Sequence, residues 1–395
     1  MQIKGSFIQD WYYQNFDDRR WADECAAMKA RGMDMLITSE QYDDPVQIRR
    51  ILRAASANGI QICIGTGNYP EWWKLGSRNH LIAERYEQTV KKLEEVYSSL
   101  TEEEKSAVFG FYFSPEISSA YGIGYSPALA EAMNTVIDGI KRMNPDLPLL
   151  LSPYYSEYRA KSIAGCRADW VKILREVHFR PQDILCPQDA IGALWTRPEH
   201  LNDAMQMYLD AISESGRKIR FWVNCEDFIS EHPGKIGMPK RTENRAFYPA
   251  PMRRFAWQME QASHYTDTII TFAYNHYHSP MAVHPDYDRA LKQVLETGTC
   301  ADNAFVMSPG RVTRQEGKTV FAFEPVQSDW AVQCVRVYRL TKRGRRVFAG
   351  RCDRPMSPTA PLPGCAELLT ARRGRYMALA EDVWGNESAP FFFEI

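Results

Sequence analysis

VFGFYFSPE, residues 108–116, is an apolar run of strand length that ends in a carboxylate. Side chains alternate between the two faces of a strand, so Phe109, Phe111 and Phe113 share one face, and Tyr112 and Glu116 share the other. An all-Phe face is typical of a strand that packs against helices. The pattern therefore predicts that Glu116 points to the inner, carboxyl-terminal end of a closed sheet.

Seven similar runs precede and follow this stretch, and amphipathic helical patterns separate them. With residues 108–114, the predicted strands are Ile3–Gln9, Met33–Glu40, Ile60–Gly65, Leu149–Pro153, Asp183–Gln188, Ile219–Asn224 and Thr268–Ala273. About eight strand–helix units in about 300 residues is the composition of a (β/α)₈ TIM barrel, which we place at residues 1–300. An open, doubly wound α/β sheet usually has a glycine-rich turn after its first strand, whereas Gln9, Asp10 and Trp11 follow here. The barrel is therefore favoured.

The pattern changes after residue 303. Short alternating strands are predicted at Phe305–Ser308, Thr319–Glu324, Cys334–Leu340, Arg346–Cys352, Arg375–Asp382 and Pro390–Ile395. Turn segments separate these runs, which predicts a small antiparallel β-sandwich over residues 303–395. The sandwich pattern contains no cluster of carboxylates or histidines, so we expect it to support the barrel and not to supply catalytic residues.

Composition excludes several classes of protein. The 395 residues include 48 Lys plus Arg and 49 Asp plus Glu, and this balance argues against a nucleic-acid partner. No apolar run is long enough to span a membrane. Nine scattered cysteines without a Cys-x-x-Cys pair, and an N-terminus without a signal-peptide pattern, predict reduced thiols and a cytoplasmic location. We expect no cofactor, and a homo-oligomer remains open.

A second carboxylate, that of Glu226, is also predicted to lie on the inner face of its strand, as Glu116 does. In residues 219–226, the apolar side chains share one face, whereas Trp222, Asn224 and Glu226 share the other. Two glutamates at the mouth of one barrel, three strands apart, can approach each other across the pocket. At roughly 5–5.5 Å such a pair suits a retaining glycosidase, with one acid/base and one nucleophile.

Other polar and aromatic residues follow the predicted strands, where sugar hydroxyls and rings would need donors, acceptors and stacking surfaces. Glu40 is predicted to face the mouth, with Met33, Met35 and Ile37 on the opposite face of the second strand. The candidates for substrate binding are Gln9, Asp10, Trp11, Glu40, Trp72, Tyr112, Tyr154, Gln188, Asp189, Trp195, Trp222, Asn224, Tyr274 and Asn275.

A metal-dependent hydrolase is a weaker alternative. His276 and His278 alternate in the segment that follows the last strand, but no third ligand stands at a recognised spacing. We therefore predict no metal site. Cys225 is next to Glu226, but its parity places it against the helices, so it is not expected to act as a nucleophile.

Four segments together resemble a known superfamily: Gly5–Gln9, Trp21–Ile37, Gly110–Ile117 and Asp183–Gly192. They resemble glycoside-hydrolase-like TIM barrels and, more narrowly, a bacterial family of that superfamily classed as a domain of unknown function. The resemblance covers about residues 3–280 and implies a sugar-processing barrel, with Glu116 at the acid/base position and Glu226 at the nucleophile position. The ending of the chain, residues 376–388, resembles the closing strand of fibronectin-type-III-like modules.

The large retaining clan usually has Asn before the strand-four glutamate, whereas this chain has Pro115. This difference and the richness in aromatic residues keep open a non-catalytic, carbohydrate-binding barrel. Both hypotheses predict a carbohydrate ligand, and they differ in whether that ligand is cleaved.

Overall fold

The first three-quarters of the chain forms a closed parallel barrel. The computed structural model describes residues 2–39, 44–67, 81–118, 125–158, 162–231, 246–369 and 371–395. The barrel strands are β1 (Ile3–Ile8), β2 (Met35–Thr38), β3 (Gln61–Gly65), β4 (Val108–Phe113), β5 (Leu149–Leu151), β6 (Ile184–Leu185), β7 (Arg220–Phe221), β8 (Val223–Glu226) and β11 (Ile269–Phe272). Each is parallel to its neighbours in the order β7-β6-β5-β4-β3-β2-β1-β11-β8.

The nine segments make eight barrel strands, because β7 and β8 are two halves of one strand. Arg220 and Phe221 pair with β6 on one side, and after Trp222 the same chain pairs with β11 on the other side. Residues 220–226 thus close the ring between the sixth and eighth strands. The predicted (β/α)₈ barrel is confirmed.

Helices follow the strands and form the outer layer. They are α1 (Asp10–Tyr13), α2 (Asp18–Ala30), α3 (Pro45–Ala57), α4 (Leu81–Ser99), α5 (Glu102–Ser106), α6 (Pro127–Met143), α7 (Ile163–Glu176), α8 (Leu201–Ser215), α9 (Met252–Ser263), α10 (Tyr274–Tyr277) and α11 (Pro285–Thr297). Side chains such as those of Asp17 and Ser126 accept N–H bonds at helix starts, where four backbone donors otherwise have no partner. Within the described ranges, no helix is both long and apolar enough to cross a membrane.

Every barrel strand contributes to an inner core that fills the lumen. Its members are Phe7, Met35, Ile37, Cys63, Tyr112, Leu150, Ile184, Cys186, Trp222, Ile270 and Ala273. Phe111, Phe113, Val223 and Cys225 belong to the separate core between strands and helices. The lumen is therefore packed, and a ligand of the barrel is expected above it, at the carboxyl ends of the strands.

Two expectations about side-chain direction were wrong. Met35 and Ile37 pack in the lumen and not against the helices. Phe109 also packs against the lumen core, with its ring centroid 5.8 Å from that of Trp222. The register between β3 and β4 shifts at this point, and such an irregularity changes the face on which a side chain lies.

The C-terminal unit is a folded-over antiparallel sheet. Its strands are β12 (Gly310–Gln315), β13 (Lys318–Phe323), β14 (Val332–Leu340), β15 (Arg346–Asp353), β16 (Cys365–Leu368), β17 (Arg375–Asp382) and β18 (Phe391–Glu394), in the order β12-β13-β16-β15-β14-β17-β18. Phe321 and Phe393 lie on strands near opposite ends of this order, yet their rings stack at 4.4 Å. The two ends of the sheet therefore face each other across one core, as expected for a sandwich.

The strand pattern of this unit was predicted only in part. β12 and β16 were missed, because no residue of β12 is buried and β16 is only four residues long. In the predicted strand Phe305–Ser308, Val306 makes one isolated bridge to Ala389. The likeness to fibronectin type III stays a prediction.

The barrel and the C-terminal sheet contact each other directly. Trp384 lies in the barrel's outer core and is fully buried. Trp330 packs edge-on against it, and the Arg289 guanidinium lies 3.8 Å from the Trp330 ring centroid. Both tryptophans therefore act in packing between the two units.

Candidate active site

One cavity of about 370 Å³ lies at the carboxyl ends of the barrel strands. Both predicted catalytic residues line it, together with five of the predicted binding residues. The lining is Gln9, Trp11, Glu116, Tyr154, Gln188, Ala193, Trp195, Glu226, Phe228, Phe247, Phe272 and Tyr277. The cavity thus combines two carboxylates, two amides and seven aromatic side chains.

Glu226 is held at the end of β8 by backbone groups. Its side chain is buried, with 3% exposed, and Oε2 accepts the Ala193 N–H at 2.6 Å. Its own N–H donates to Oδ1 of Asp189 at 3.2 Å. Burial raises the pKa of Glu226 well above its ordinary value, and the Asp189 and Glu116 carboxyls raise it further.

The Ala193 N–H is delivered by a loop whose shape depends on Gly192. A Cβ on Gly192 would lie 2.9 Å from Cβ of Glu226 and 2.3 Å from the Phe228 carbonyl oxygen. Real side chains do not approach so closely, so only glycine lets the loop pack against the glutamate. Ser230 N–H donates to the Gly192 carbonyl at 2.8 Å and fixes the loop from the other side.

Glu116 occupies a different environment, three residues beyond the end of β4. It is partly exposed to the cavity. Burial raises its pKa from 4.5 to about 7, and a hydrogen bond from Gln188 opposes this rise. A carboxyl group with such a pKa exchanges its proton near neutral pH, which is the requirement for a general acid/base.

Arg254, on α9, is a cation close enough to the buried carboxyls to act on them. Its Nη2 donates to the backbone carbonyls of Glu226, at 3.3 Å, and Phe228. Its charge lowers the pKa of Glu226 and of Asp189. Arg254 therefore offsets part of the cost of placing two carboxyl groups beneath one pocket.

Aromatic rings cover the remaining walls. The Trp195 ring lies 6.3 Å from that of Tyr154, and Trp11 is 56% exposed, with its Nε1 donating to Oε1 of Gln9 at 2.8 Å. Phe228 and Phe247 contact each other edge-to-face at 5.3 Å. Such a wall can stack on the apolar faces of a sugar.

Five cavity residues were missed by sequence reasoning: Ala193, Phe228, Phe247, Phe272 and Tyr277. Phe228 and Phe247 belong to a hairpin of β9 (Phe228–Glu231) and β10 (Ala246–Pro249). β9 starts two residues after Glu226, so the aromatic alternation just past the strand end was the available signal. Phe247 is separated from that strand by residues 232–245, which lie outside the described ranges, and had no local signal.

Several predicted binding residues lie outside the cavity. Tyr112 and Trp222 pack in the lumen core beneath it. Asn224 is buried below Glu226, where its Nδ2 donates to Oγ of Ser152 at 3.2 Å. Their side chains point into the barrel, as predicted, but they lie one layer below the cavity.

Asp189, Tyr274 and Asn275 face other parts of the structure. Asp189 accepts a hydrogen bond from Gln258 at 2.5 Å and acts behind Glu226. The chain enters α10 directly after β11, and this turns Tyr274 toward Asp288 and Asn275 toward Glu24, at 3.0 Å each. These three side chains were predicted to bind substrate, but in the structure they bond to other parts of the protein and have structural roles.

Three predicted binding residues are not among the side chains that the structure describes. Glu40 and Trp72 lie outside the described residues. Asp10 begins α1, and its side chain is not described.

The two histidines of residues 276 and 278 have separate surroundings. Nε2 of His276 accepts the Gln9 N–H at 3.3 Å, and its ring stacks on Tyr12 at 4.5 Å. His278 is fully buried and stacks on Phe255. Within the described part of the chain, no three His, Cys, Asp or Glu side chains are grouped as metal ligands.

Comparisons with solved structures give similarity at low sequence identity. An intracellular xylanase of Thermoanaerobacterium saccharolyticum is 11% identical, with 69% of this chain and 86% of that chain covered and a TM-score of 0.42. A family 5 glycoside hydrolase of Bacteroides vulgatus is 10% identical (100% and 89% covered, TM-score 0.45). Endo-glycoceramidase II of a Rhodococcus species is 11% identical (93% and 96% covered, TM-score 0.43).

A search of curated proteins finds no match. One family model does match, over residues 3–284, from the start of β1 to the residue before α11. By this match the chain belongs to the family described as "Domain of unknown function (DUF4434)".

Proposed function

We propose that this chain is a glycoside hydrolase that cleaves an oligosaccharide or glycoconjugate with retention of configuration. The observation that carries the proposal is that Glu116 and Glu226, from the fourth and seventh barrel strands, line one cavity with aromatic walls. Two carboxyl groups in one pocket suit a reaction in which one group donates a proton and the other stabilises an electron-poor carbon.

The surroundings of each carboxyl group support a division of roles. Glu116 is the partly exposed group with a pKa of about 7, so it holds a proton near neutral pH and can exchange it with water. Glu226 is the deeper group, oriented by the Ala193 N–H and placed near the Arg254 charge. The Ala193 N–H and the Arg254 charge lower the pKa of Glu226, and so favour the ionised form that attack on a carbon atom requires, against the raising effect of burial.

In the first step, the Glu116 carboxyl transfers its proton to the glycosidic oxygen as the bond from that oxygen to the anomeric carbon breaks. An Oε atom of Glu226 forms a bond to the anomeric carbon. In the second step, the Glu116 carboxylate takes a proton from water, the water oxygen bonds to the anomeric carbon, and Glu226 is released. Gln9 and Gln188 supply donors and acceptors for sugar hydroxyls, and Trp11 and Trp195 supply stacking surfaces.

The test is hydrolysis of an aryl-glycoside and oligosaccharide panel by the wild-type chain and by Glu226→Gln. We expect turnover of at least one panel member by the wild type, loss of turnover in the variant, and a product whose first-formed anomer matches the substrate by proton NMR. Binding of sugars without turnover by the wild type would favour the carbohydrate-binding barrel. An inverted first product would refute double displacement.

Azide distinguishes the two roles. With an activated aryl glycoside, Glu116→Ala plus azide should give a glycosyl azide of retained configuration, because azide replaces the water in the second step. Glu226→Ala plus azide should give the inverted azide, because azide then replaces the nucleophile. The opposite pattern would exchange the roles of the two glutamates.

A further inference from the structure

The β9–β10 hairpin joins the cavity to the C-terminal sheet. Phe228 and Phe247 contact each other on the cavity side of this hairpin. A two-stranded hairpin alone is marginally stable in water, so its position depends on what packs against it. Bonds from Ser230 to Gly192 and from Arg254 to Phe228 hold β9 to the barrel, so the contacts of β10 on the other side bear on how firmly the rest of the aromatic wall is held.

Tyr248 follows Phe247 along β10, and neighbouring residues of a strand point to opposite faces. The Arg351 guanidinium lies 5.1 Å from the centroid of the Tyr248 ring. The Tyr248 hydroxyl donates to Asp353; burial raises the pKa of Tyr248, and the charge and hydrogen bond of Asp353 raise it further. Arg351 also pairs with Asp353. Tyr248 is thus held by two charged residues of β15, in the C-terminal sheet.

The chain just after β10 is bound to the same unit. Met252 N–H donates to the Val383 carbonyl at 2.9 Å, and Nη2 of Arg253 donates to Oδ1 of Asn386 at 2.9 Å. The next residue, Arg254, contacts the backbone of Glu226. Residues 248–254 therefore link the C-terminal sheet on one side to the catalytic strand on the other.

We propose that Tyr248 is a positioning residue through which the C-terminal sheet fixes the Phe228–Phe247 wall of the cavity. The C-terminal sheet then takes part in substrate binding without contributing a side chain to the cavity. The effect on kinetics rests on the proposed function, whereas the effect on the hairpin does not.

The first measurement is amide hydrogen exchange of the full chain, followed at residues 228–231 and 246–249, for Tyr248→Phe and Asp353→Asn. Tyr248→Phe keeps the ring and removes the hydroxyl that donates, and Asp353→Asn keeps the shape of the acceptor and removes its charge. We expect exchange in the hairpin to be about ten-fold faster, since a hydrogen bond to a charged group is lost. The matched control is Tyr338→Phe, whose ring faces Arg346 and whose hydroxyl bonds to Arg336 within the C-terminal sheet.

The second measurement is steady-state kinetics with an aryl glycoside that the wild type cleaves. We expect Tyr248→Phe to raise KM about five-fold and to change kcat less than two-fold, because the wall binds substrate and Glu116 and Glu226 remain in place. Hairpin exchange in Tyr248→Phe equal to that in wild type and in Tyr338→Phe would overturn the proposal. Faster hairpin exchange in a chain that cleaves no glycoside would support it while the proposed function fails.

Discussion

Replacing Glu116 by Gln should stabilise the fold in alkaline solution while it removes the proposed catalytic proton. The pKa of Glu116 is raised by burial from 4.5 to about 7. A carboxyl group whose folded-state pKa is raised contributes stability below pH 4.5, and this contribution is lost as pH rises from 4.5 to about 7. The difference corresponds to about 3 kcal/mol at pH 8. Gln stays neutral, so the variant does not lose this stability.

The expected result is therefore pH-dependent. For a barrel of about 300 residues, about 3 kcal/mol corresponds to a Tm increase of about 5 °C at pH 8. At pH 4 the two proteins should melt together, because Glu116 is then protonated in both the folded and unfolded chain. The assay is thermal melting in matched buffers from pH 4 to pH 9, with Glu87→Gln on the exposed face of α4 as the control. Equal Tm differences at pH 4 and pH 8 would refute the reasoning.

Three further outcomes follow from the geometry of the cavity. Glu226→Gln should lower turnover of a cleaved aryl glycoside by about a thousand-fold or more with an unchanged circular dichroism spectrum, and a residual rate near wild type would contradict the nucleophile assignment. Gly192→Ala should abolish activity and lower Tm, because the new Cβ would lie 2.9 Å from Cβ of Glu226. The control is Gly364→Ala, which should melt near wild type because its new Cβ would meet one backbone atom at 3.3 Å. Gln188→Ala removes a hydrogen bond that lowers the pKa of Glu116, so the alkaline limb of kcat/KM against pH should move to higher pH; a shift to lower pH would contradict the contact.

The barrel and the inward parity of Glu226 were predictable because both depend on a short-range pattern. In strands, alternation of apolar and polar residues survives in the fold when the register is regular, as it is from Val223 to Glu226. The same reasoning failed at Phe109, where the register shifts, and at Met35 and Ile37, which fill the lumen with apolar side chains. A barrel strand is buried on both faces, so apolar character alone does not identify the outer face.

The predicted site failed where the chain leaves a strand. Tyr274 and Asn275 follow β11 in sequence, but α10 starts at once and turns both toward buried acids among the helices. Asp189 is next to the cavity residue Gln188, yet it is drawn behind Glu226 by bonds to Gln258 and to the backbone. Each of these directions is set by partners distant in sequence, and no local pattern contains them.

The loop that orients Glu226 shows why sequence reasoning missed the most specific part of the site. Ala190 and Leu194 both have positive φ, 57° and 61°, a conformation that costs residues with a Cβ of order 1 kcal/mol or more each. The intrinsic backbone preferences of Ala190 and Leu194 would therefore favour a different loop conformation. The observed one persists because the Ile191 N–H bonds to Asp189, Trp195 N–H bonds to the Ala190 carbonyl, and the Gly192 carbonyl accepts from the hairpin. Together these bonds fix the backbone conformation at the point where the Ala193 N–H donates to Glu226. Strain of this kind is retained where a functional group must be held in one position, and here that group is the carboxylate proposed to attack the sugar.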